Sequence, residues 1–294
     1  MKSALVIQCF VKPTETIETL KSFEKCKGIN DYTLIIFVDK ANPNTIFFSE
    51  NTKLIEIVKK YAKDNKSKYK DIIVHVCKNN LGPYICCGDA INYAFLNHDY
   101  VIFTEDDSIF TSDTLNYFNN YRDGKILDDE KCLGITSQSD LFKINEKNLK
   151  NISKDKCNCI KENTLNEKLI NKITKSPNFS NKQFGIFKRK WDIIKNFRTK
   201  EYLDKYGIGS DYATTLFTAN NGYYSYYSII PRTTDIGLFH KLGCTTLHWK
   251  KEVPLDTVKI LTLDDYNVDD IEKYEVVNEQ EYLNIRNKYF CCDV

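Results

Sequence analysis

The chain has 294 residues, of which 42% are hydrophobic and 28% are charged, a composition typical of a globular protein with a packed core. Its formal net charge of +2 argues against a dedicated nucleic-acid-binding protein, which is normally strongly basic. The segment after Met1 resembles a strand more than a signal peptide, and no apolar run approaches the roughly 20 residues of a membrane span. We therefore expect a soluble, cytoplasmic protein without a transmembrane segment.

The first 104 residues alternate between two hydrophobic periods. Continuous apolar runs predict buried strands at 4–10, 32–38, 72–76 and 100–104. Helical spacing follows each of the first three runs, at 13–23, 54–62 and 87–95. This β-α-β-α-β-α-β order predicts an α/β fold with a parallel sheet covered by helices on both faces. Ligands of such sheets bind beyond the carboxyl ends of the strands.

The second half of the chain is less regular. Residues 143–182 carry ten lysines and four acids, with weak apolar periodicity, which predicts an exposed insertion or a mobile flap. We predict a strand at 183–188, a helix at 191–197, a helix that starts at Gly209-Ser210-Asp211, a strand at 223–230 and a long loop at 231–246. The domain would comprise residues 1–250, and the acidic residues 251–294 would form a C-terminal extension packed on it.

Eleven cysteines are present. Several lie in apolar segments, such as Cys9, Cys77 and Cys132, and buried reduced thiols are the ordinary state of such residues in a reducing compartment. Cys157 and Cys159 lack the spacing of a zinc site. The cysteines therefore predict neither a disulfide scaffold nor structural zinc.

The principal functional signal is the triplet Glu105-Asp106-Asp107, which directly follows the predicted strand at 100–104. Three adjacent carboxylates repel one another and raise each other's pKa unless a cation or hydrogen-bond donors intervene. A hard divalent cation such as Mn²⁺ or Mg²⁺ would relieve this repulsion, because such ions prefer oxygen ligands. A solvated loop with a helix cap is the alternative.

The triplet and its strand resemble the metal-binding motif of nucleotide-sugar glycosyltransferases with the GT-A fold, and within them the N-acetylglucosaminyltransferase I type. Other segments add to the resemblance in the same order along the chain. They are Leu5-Val6-Ile7-Gln8-Cys9, Phe37-Val38-Asp39, Asn80-Leu81-Gly82-Pro83-Tyr84, residues 111–121, Gly209-Ser210-Asp211-Tyr212, and Pro231-Arg232-Thr233 with Gly237. The resemblance covers roughly residues 3–140 and 183–248.

This resemblance implies a GT-A fold, a UDP-sugar donor and a glycan or glycoconjugate acceptor. Asp107 would bind the metal, and Glu105 and Asp106 would contact the donor sugar and ribose. Asp39 would recognise the uracil edge, and Asp211 would be the general base. The remaining donor-side residues would be Gln8, Asn80, Gly82, Arg232 and His240, with His248 as a second metal ligand.

Several of these assignments have structural alternatives. Asp211 could cap a helix, and His240 or His248 could be packed side chains. The family carries a basic residue in the first loop, where this chain offers Val11 and Lys12.

The oligomeric state is not predicted. The lack of an anchor favours a bacterial or viral cytoplasmic enzyme over a Golgi-resident one.

Two other functions compete with a glycosyltransferase. A sugar-nucleotide pyrophosphorylase would use a similar sheet, but it requires a glycine-rich basic loop after the first strand, and Phe10-Val11-Lys12-Pro13 is not one. A non-catalytic module that binds sugars or nucleotides is the second alternative. The complete acidic triplet together with Asp211 argues against it.

Overall fold

The computed structural model describes residues 1–138, 167–180, 182–206, 210–237, 240–242 and 274–289. Within these residues no helix is both long enough and apolar enough to cross a membrane. The α/β class is confirmed: a large, mostly parallel sheet is flanked by helices.

Strands and helices alternate strictly up to the fourth strand and become shorter after it. The strands are β1 (Ser3–Cys9), β2 (Thr33–Val38), β3 (Asp71–Val76), β4 (Tyr100–Glu105), β5 (Ser108–Phe110), β6 (Cys132–Thr136), β7 (Lys172–Ser176), β8 (Phe184–Phe187), β9 (Tyr224–Ser228), β10 (Thr233–Asp235) and β11 (Glu275–Val276). The helices are α1 (Pro13–Glu24), α2 (Phe48–Asp64), α3 (Pro83–Ala94), α4 (Thr114–Arg122), α5 (Glu167–Ile170), α6 (Lys188–Ile194), α7 (Lys200–Tyr206), α8 (Ser210–Asn220) and α9 (Glu279–Tyr289).

Nine strands form one sheet in the order β11-β7-β9-β6-β8-β4-β1-β2-β3. The four strands predicted in the first half of the chain, β1 to β4, are parallel neighbours. Strand β8 runs antiparallel between β4 and β6, and β9 again runs parallel to β6. Strands β10 and β5 form a separate antiparallel pair.

Alternate residues of the central strands enter two cores, one on each face of the sheet. In β1, Leu5 and Ile7 pack with apolar residues of α1, α2 and α4, whereas Ala4 and Val6 pack with α3 and α6. A strand buried on both faces has no polar side to display. This explains why β1 and β2 read as continuous apolar runs.

Two expectations for the second half need revision. The sequence predicts a loop over residues 231–246, but Thr233–Asp235 is the strand β10. It predicts an insertion with weak periodicity over residues 143–182, yet Lys172–Ser176 is the strand β7, paired with β9 inside the main sheet. Strand β11, from the acidic C-terminal segment, pairs with β7 in turn.

Six of the eleven cysteines lie among the described residues. Cys9, Cys26, Cys77, Cys86, Cys87 and Cys132 are all buried and free of disulfides. The other five cysteines, including Cys157 and Cys159, lie outside the described residues.

Candidate active site

The carboxyl ends of β1, β2 and β4 meet at one edge of the sheet. The register pairs Gln8 of β1 with Phe37 of β2 and with Glu105 of β4. Asp39 follows β2 directly, and Asp106 and Asp107 form the turn after β4. The sheet therefore collects at one edge acidic residues that are distant in the sequence.

Asp106 and Asp107 are buried, with exposed fractions of 6% and 1%. The backbone N–H of Phe10 donates to Asp106 Oδ2 at 3.0 Å. The ammonium of Lys12 contacts Asp107 Oδ2 directly and lies 3.9 Å from Asp106 Oδ1. The loop after β1 thus supplies both a backbone donor and a cation to the acidic turn.

A second lysine balances the outer side of this turn. Lys182 Nζ lies 2.8 Å from Glu105 Oε2 and 3.1 Å from Asp235 Oδ2. Strand β8 pairs antiparallel with β4, with Phe184 opposite Phe103, so Lys182 lies opposite Glu105. The sequence analysis places Lys182 at the end of a predicted exposed insertion. Its position beside Glu105 depends on the antiparallel pairing of β8 with β4, which the sequence pattern does not reveal.

Burial dominates the titration of the acidic turn. Burial raises the pKa of Asp106 to about 7, against the attraction of Lys12, and the neighbouring Asp107 carboxylate adds to the increase. Burial likewise raises the pKa of Glu105, and Lys182 opposes this. Burial lowers the pKa of Lys12, but the charges of Asp106 and Asp107 outweigh it and the net change is upward.

The described residues of this cluster fit a divalent cation. Four carboxylates, those of Glu105, Asp106, Asp107 and Asp235, face two ammonium groups. When all six groups are charged, the cluster carries an excess of two negative charges. Asp107 Oδ1 is buried and has no hydrogen-bond partner among the described residues. A buried, unpartnered carboxylate oxygen is costly unless a cation or donor satisfies it.

A different group brings three potential ligand atoms within 4.8 Å of one another, namely Asp39, Cys77 and Cys86. Asp39 is already saturated, since its carboxylate accepts from the backbone N–H groups of Lys40, Leu81 and Gly82 at 2.8–2.9 Å and from Asn80 Nδ2 at 3.3 Å. Asp107, with one oxygen that has no partner among the described residues, therefore fits a cation better than Asp39 does. Mg²⁺-type ions are commonly held by one or two carboxylates plus substrate phosphates.

These hydrogen bonds give Asp39 an organising role. Burial raises the pKa of Asp39, and the backbone donors of Leu81, Gly82 and Lys40 oppose that rise. Gly82 has φ +77°, a conformation that favours glycine, and it precedes Pro83 at the start of α3. Contact between Asp39 and a uracil edge stays a prediction.

Gln8 also contacts the first residue of α3. Its Nε2 donates to the carbonyl oxygen of Pro83 at 3.0 Å. Gln8, Asn80 and Gly82 thus lie at the same edge as the acidic turn, and their described contacts are with the protein chain; their role at the donor stays a prediction.

The segment after β10 packs directly on the predicted metal ligand. Ile236 N–H donates to the carbonyl oxygen of Asp107 at 2.8 Å. A Cβ atom at Gly237 would lie 2.6 Å from Asp107 Cγ, so only glycine leaves that carboxylate in place. His240 follows, with its N–H bonded to Gly237 O at 3.0 Å and its Nε2 3.9 Å from Glu15.

Arg232 has a structural position that the sequence did not predict. Its side chain is 1% exposed and donates from Nε to Asp113 Oδ2 at 2.7 Å. Further donations reach Ser228 Oγ, Ile230 O and Ile170 O, and the guanidinium lies 4.4 Å from the centre of the Tyr117 ring. This arrangement explains Arg232 by packing and charge pairing, and we do not assign it to the donor site.

Two further site residues stay predictions. His248 lies outside the described residues. Asp211 is the second residue of α8, and its side chain is not described. Shortly after α8 the chain enters β9, which is parallel to β6. A helix that leads into a parallel strand through such a short connection runs antiparallel to that strand. The start of α8 should therefore lie toward the carboxyl edge of the sheet.

A separate concavity lies at the opposite edge of the sheet. It is lined by residues that include Ser3, Asn30, Lys70 and Arg122, and it has a volume of about 440 Å³. It contains none of the acids of the acidic turn. Because ligands of parallel α/β sheets bind at the carboxyl ends of the strands, we assign the functional site to the acidic turn.

No protein-family model and no curated protein matches the sequence significantly. Solved glycosyltransferase structures are similar in fold. The mannosyltransferase PcManGT from Pyrobaculum calidifontis, in complex with GDP-Man and Mn²⁺, has a TM-score of 0.45 and 12% identity, over 78% of this chain and 54% of that chain. TarS 1-349 from S. aureus, in complex with UDP-GlcNAc, has a TM-score of 0.45 and 14% identity, over 79% and 58%. GlyE from Streptococcus pneumoniae has a TM-score of 0.45 and 12% identity, over 76% and 45%.

The chain spans roughly half the length of these three proteins, from 45% to 58%. At these identities and at TM-scores below 0.5, the similarity concerns the fold and not the chemistry of the site. The functional assignment therefore depends on the described residues of this chain.

The buried position of Asp106 predicts a pH-dependent stability. Its pKa in the folded protein, about 7, exceeds the unfolded value of about 3.9. The folded state binds the extra proton between these values, so the free energy of unfolding should fall as pH rises toward and through 7. Urea denaturation of the wild type at pH 5, 6, 7 and 8, in buffer without divalent cations, checks this direction.

Asp106→Asn supplies the control, because the amide oxygen still accepts from Phe10 but no longer titrates. In the variant, the free energy of unfolding should decrease less steeply with rising pH than in the wild type. The remaining decrease comes from other acids whose pKa values are raised as well, Glu105, Asp39 and Asp89. If the free energy of unfolding decreased equally with pH in the wild type and in the variant, Asp106 would not be a source of the pH dependence.

The second prediction concerns the buried pair of Arg232 and Asp113. Arg232→Met leaves the Asp113 carboxylate buried without its cation and should lower the free energy of unfolding by about 3–5 kcal/mol. Arg189→Met is the matched control, since its pair with Asp128 has a 59% exposed arginine and should contribute less than about 1 kcal/mol. Equal losses in the two variants, measured in urea, would refute the buried-pair interpretation.

Proposed function

We propose that the protein is a metal-dependent glycosyltransferase that moves a sugar from a nucleotide sugar, most simply a UDP-sugar, to a hydroxyl group of a glycan acceptor. The single observation that carries this proposal is the acidic turn after β4. Asp107 there is buried, keeps one carboxylate oxygen without a partner among the described residues and belongs to a cluster of four carboxylates and two ammonium groups. Such a site calls for a divalent cation, and a diphosphate would complete the coordination of that cation.

Asp107 would hold the ion, Mn²⁺ or Mg²⁺. When bound, the ion would neutralise the charge that builds on the departing nucleoside diphosphate. Glu105 and Asp106 lie beside it and would face the donor sugar and ribose. The loop of Asn80 and Gly82, organised by Asp39, would form the side of the site nearest the base.

Acceptor activation requires a base. A sugar hydroxyl is a weak nucleophile until a carboxylate within hydrogen-bond reach takes its proton. We assign this role to Asp211, whose helix starts toward the same edge of the sheet. A base on one side of the sugar and a diphosphate leaving on the other side favour a single displacement with inversion.

The segment after β10 would complete the donor site. Gly237 packs against the Asp107 carboxylate, and His240 continues this segment beside Glu15 of α1. The N-acetylglucosaminyltransferase I resemblance of the sequence adds N-acetylglucosamine as the first donor sugar to test.

A sugar-nucleotide pyrophosphorylase is less well supported. That chemistry requires a loop after β1 that presents basic and glycine residues to a triphosphate. Here the loop consists of Phe10, Val11 and Lys12 before Pro13 and contains no glycine. The presence of a separate carboxylate at Asp211 also favours transfer to a hydroxyl.

The metal assignment is tested by calorimetric titration of UDP into the protein with and without Mn²⁺. Binding to the wild type should depend on Mn²⁺, and Asp107→Asn should weaken it by at least about tenfold, or 1.4 kcal/mol. Asp204→Asn, whose side chain is 63% exposed, removes a carboxylate elsewhere and should bind like the wild type. Binding that is absent from the wild type, or equal with and without Asp107, would eliminate the proposed donor site.

The base assignment is tested with Asp211→Asn. Asparagine has the size and shape of aspartate and removes only the charge and the basicity, so folding and Mn²⁺-dependent UDP binding should persist. Turnover, measured as acceptor-dependent release of UDP, should fall by a factor of about 10² or more. Normal turnover in this variant would show that Asp211 is not the general base.

A further inference from the structure

Lys12 is held in a defined place at the acidic turn. Its carbonyl oxygen accepts from the backbone N–H of Thr16 at 2.8 Å and from Thr16 Oγ1 at 2.7 Å, which fixes its backbone at the start of α1. Its side chain is 16% exposed, and its ammonium contacts Asp107 Oδ2 and lies 3.9 Å from Asp106. Lys12 therefore neutralises the same carboxylate to which we assign the metal.

An ammonium group and a divalent cation compete for one carboxylate. Two like charges a few ångströms apart repel strongly where the surroundings are poor in water, and Asp107 is 1% exposed. A divalent cation that bound Asp107 would therefore drive the Lys12 ammonium away from it. Lysine suits such an exchange, because its charge is a compact point at the end of a flexible chain.

We propose that Lys12 exchanges partners during donor binding. Without the metal its ammonium pairs with Asp107, and once a divalent cation occupies Asp107 the ammonium pairs with the donor diphosphate. A diphosphate that bound the same cation would lie close to Asp107, and the Lys12 side chain already reaches this carboxylate. The inference rests on the proposed function and adds a diphosphate-binding residue that also restrains metal binding before the donor arrives.

Lys182 differs from Lys12 in a way that makes it a matched control. It belongs to the same acidic cluster, but it bridges Glu105 and Asp235 at 2.8 and 3.1 Å. Its removal deletes the same charge from the cluster without freeing Asp107. A nonspecific electrostatic effect would appear in both lysine variants, whereas partner exchange is specific to Lys12.

The experiment compares the wild type, Lys12→Met, Lys182→Met and Lys12→Met/Asp107→Asn. Mn²⁺ binding is measured from the electron paramagnetic resonance signal of the free ion, and UDP binding is measured by calorimetry at saturating Mn²⁺. Lys12→Met should bind Mn²⁺ alone about tenfold more tightly and UDP about tenfold more weakly than the wild type. Lys182→Met should raise Mn²⁺ affinity by less than Lys12→Met does, because it leaves Lys12 paired with Asp107, and the double variant should lose the gain in Mn²⁺ affinity.

Opposite changes for Mn²⁺ and UDP in Lys12→Met support the exchange. Equal Mn²⁺ affinity in Lys12→Met and Lys182→Met overturns it, and so does tighter binding of both Mn²⁺ and UDP, which would make Lys12 a blocking group only.

Circular dichroism verifies folding, and Lys12→Gln replaces the methionine variant if that variant unfolds. If wild-type UDP binding depends on Mn²⁺ and Asp107 while Lys12→Met changes neither affinity, the exchange fails and the proposed function stands. If the wild type and all variants lack saturable Mn²⁺ binding, both fail.

Discussion

The burial of several carboxylates at one edge of the sheet is the constraint on which the site depends. Asp106 and Asp107 are almost inaccessible to water, and charges in that environment require partners. Phe10 and Lys12 after β1 supply partners to these two carboxylates. Lys182 before β8 pairs with the neighbouring Glu105, and Ile236 after β10 donates to the backbone carbonyl of Asp107. The acidic turn therefore organises elements that are distant in sequence.

Three acids show how differently the protein satisfies a buried carboxylate. Asp39 receives backbone N–H groups and shapes a loop. Asp113 receives the guanidinium of Arg232 and fixes β10 beside α4. Asp107 instead shares one oxygen with a lysine and leaves the other without a partner among the described residues. Only this third arrangement leaves coordination capacity for a ligand, and this contrast supports Asp107 as the reactive position.

Most of the first half of the fold could be predicted from hydrophobic period, because β1 to β4 are buried on both faces and α1 to α3 carry an apolar face of helical spacing. The short strands β5, β6, β7 and β10 could not. They have three to five residues each, and they are strands because of the partners with which they pair. A window of sequence contains no information about such nonlocal partners.

The sequence by itself determined the α/β class, the position of Glu105, Asp106 and Asp107 at the end of a buried strand, and the start of a helix near Asp211. These features follow from local pattern. Only the tertiary structure decided what the basic residues do. Lys182, apparently part of a lysine-rich exposed segment, balances Glu105, Lys12 pairs with Asp107, and Arg232 is buried against Asp113. The physical reason is that the role of a charge depends on which opposite charge lies within a few ångströms, and pairing across strands sets that distance.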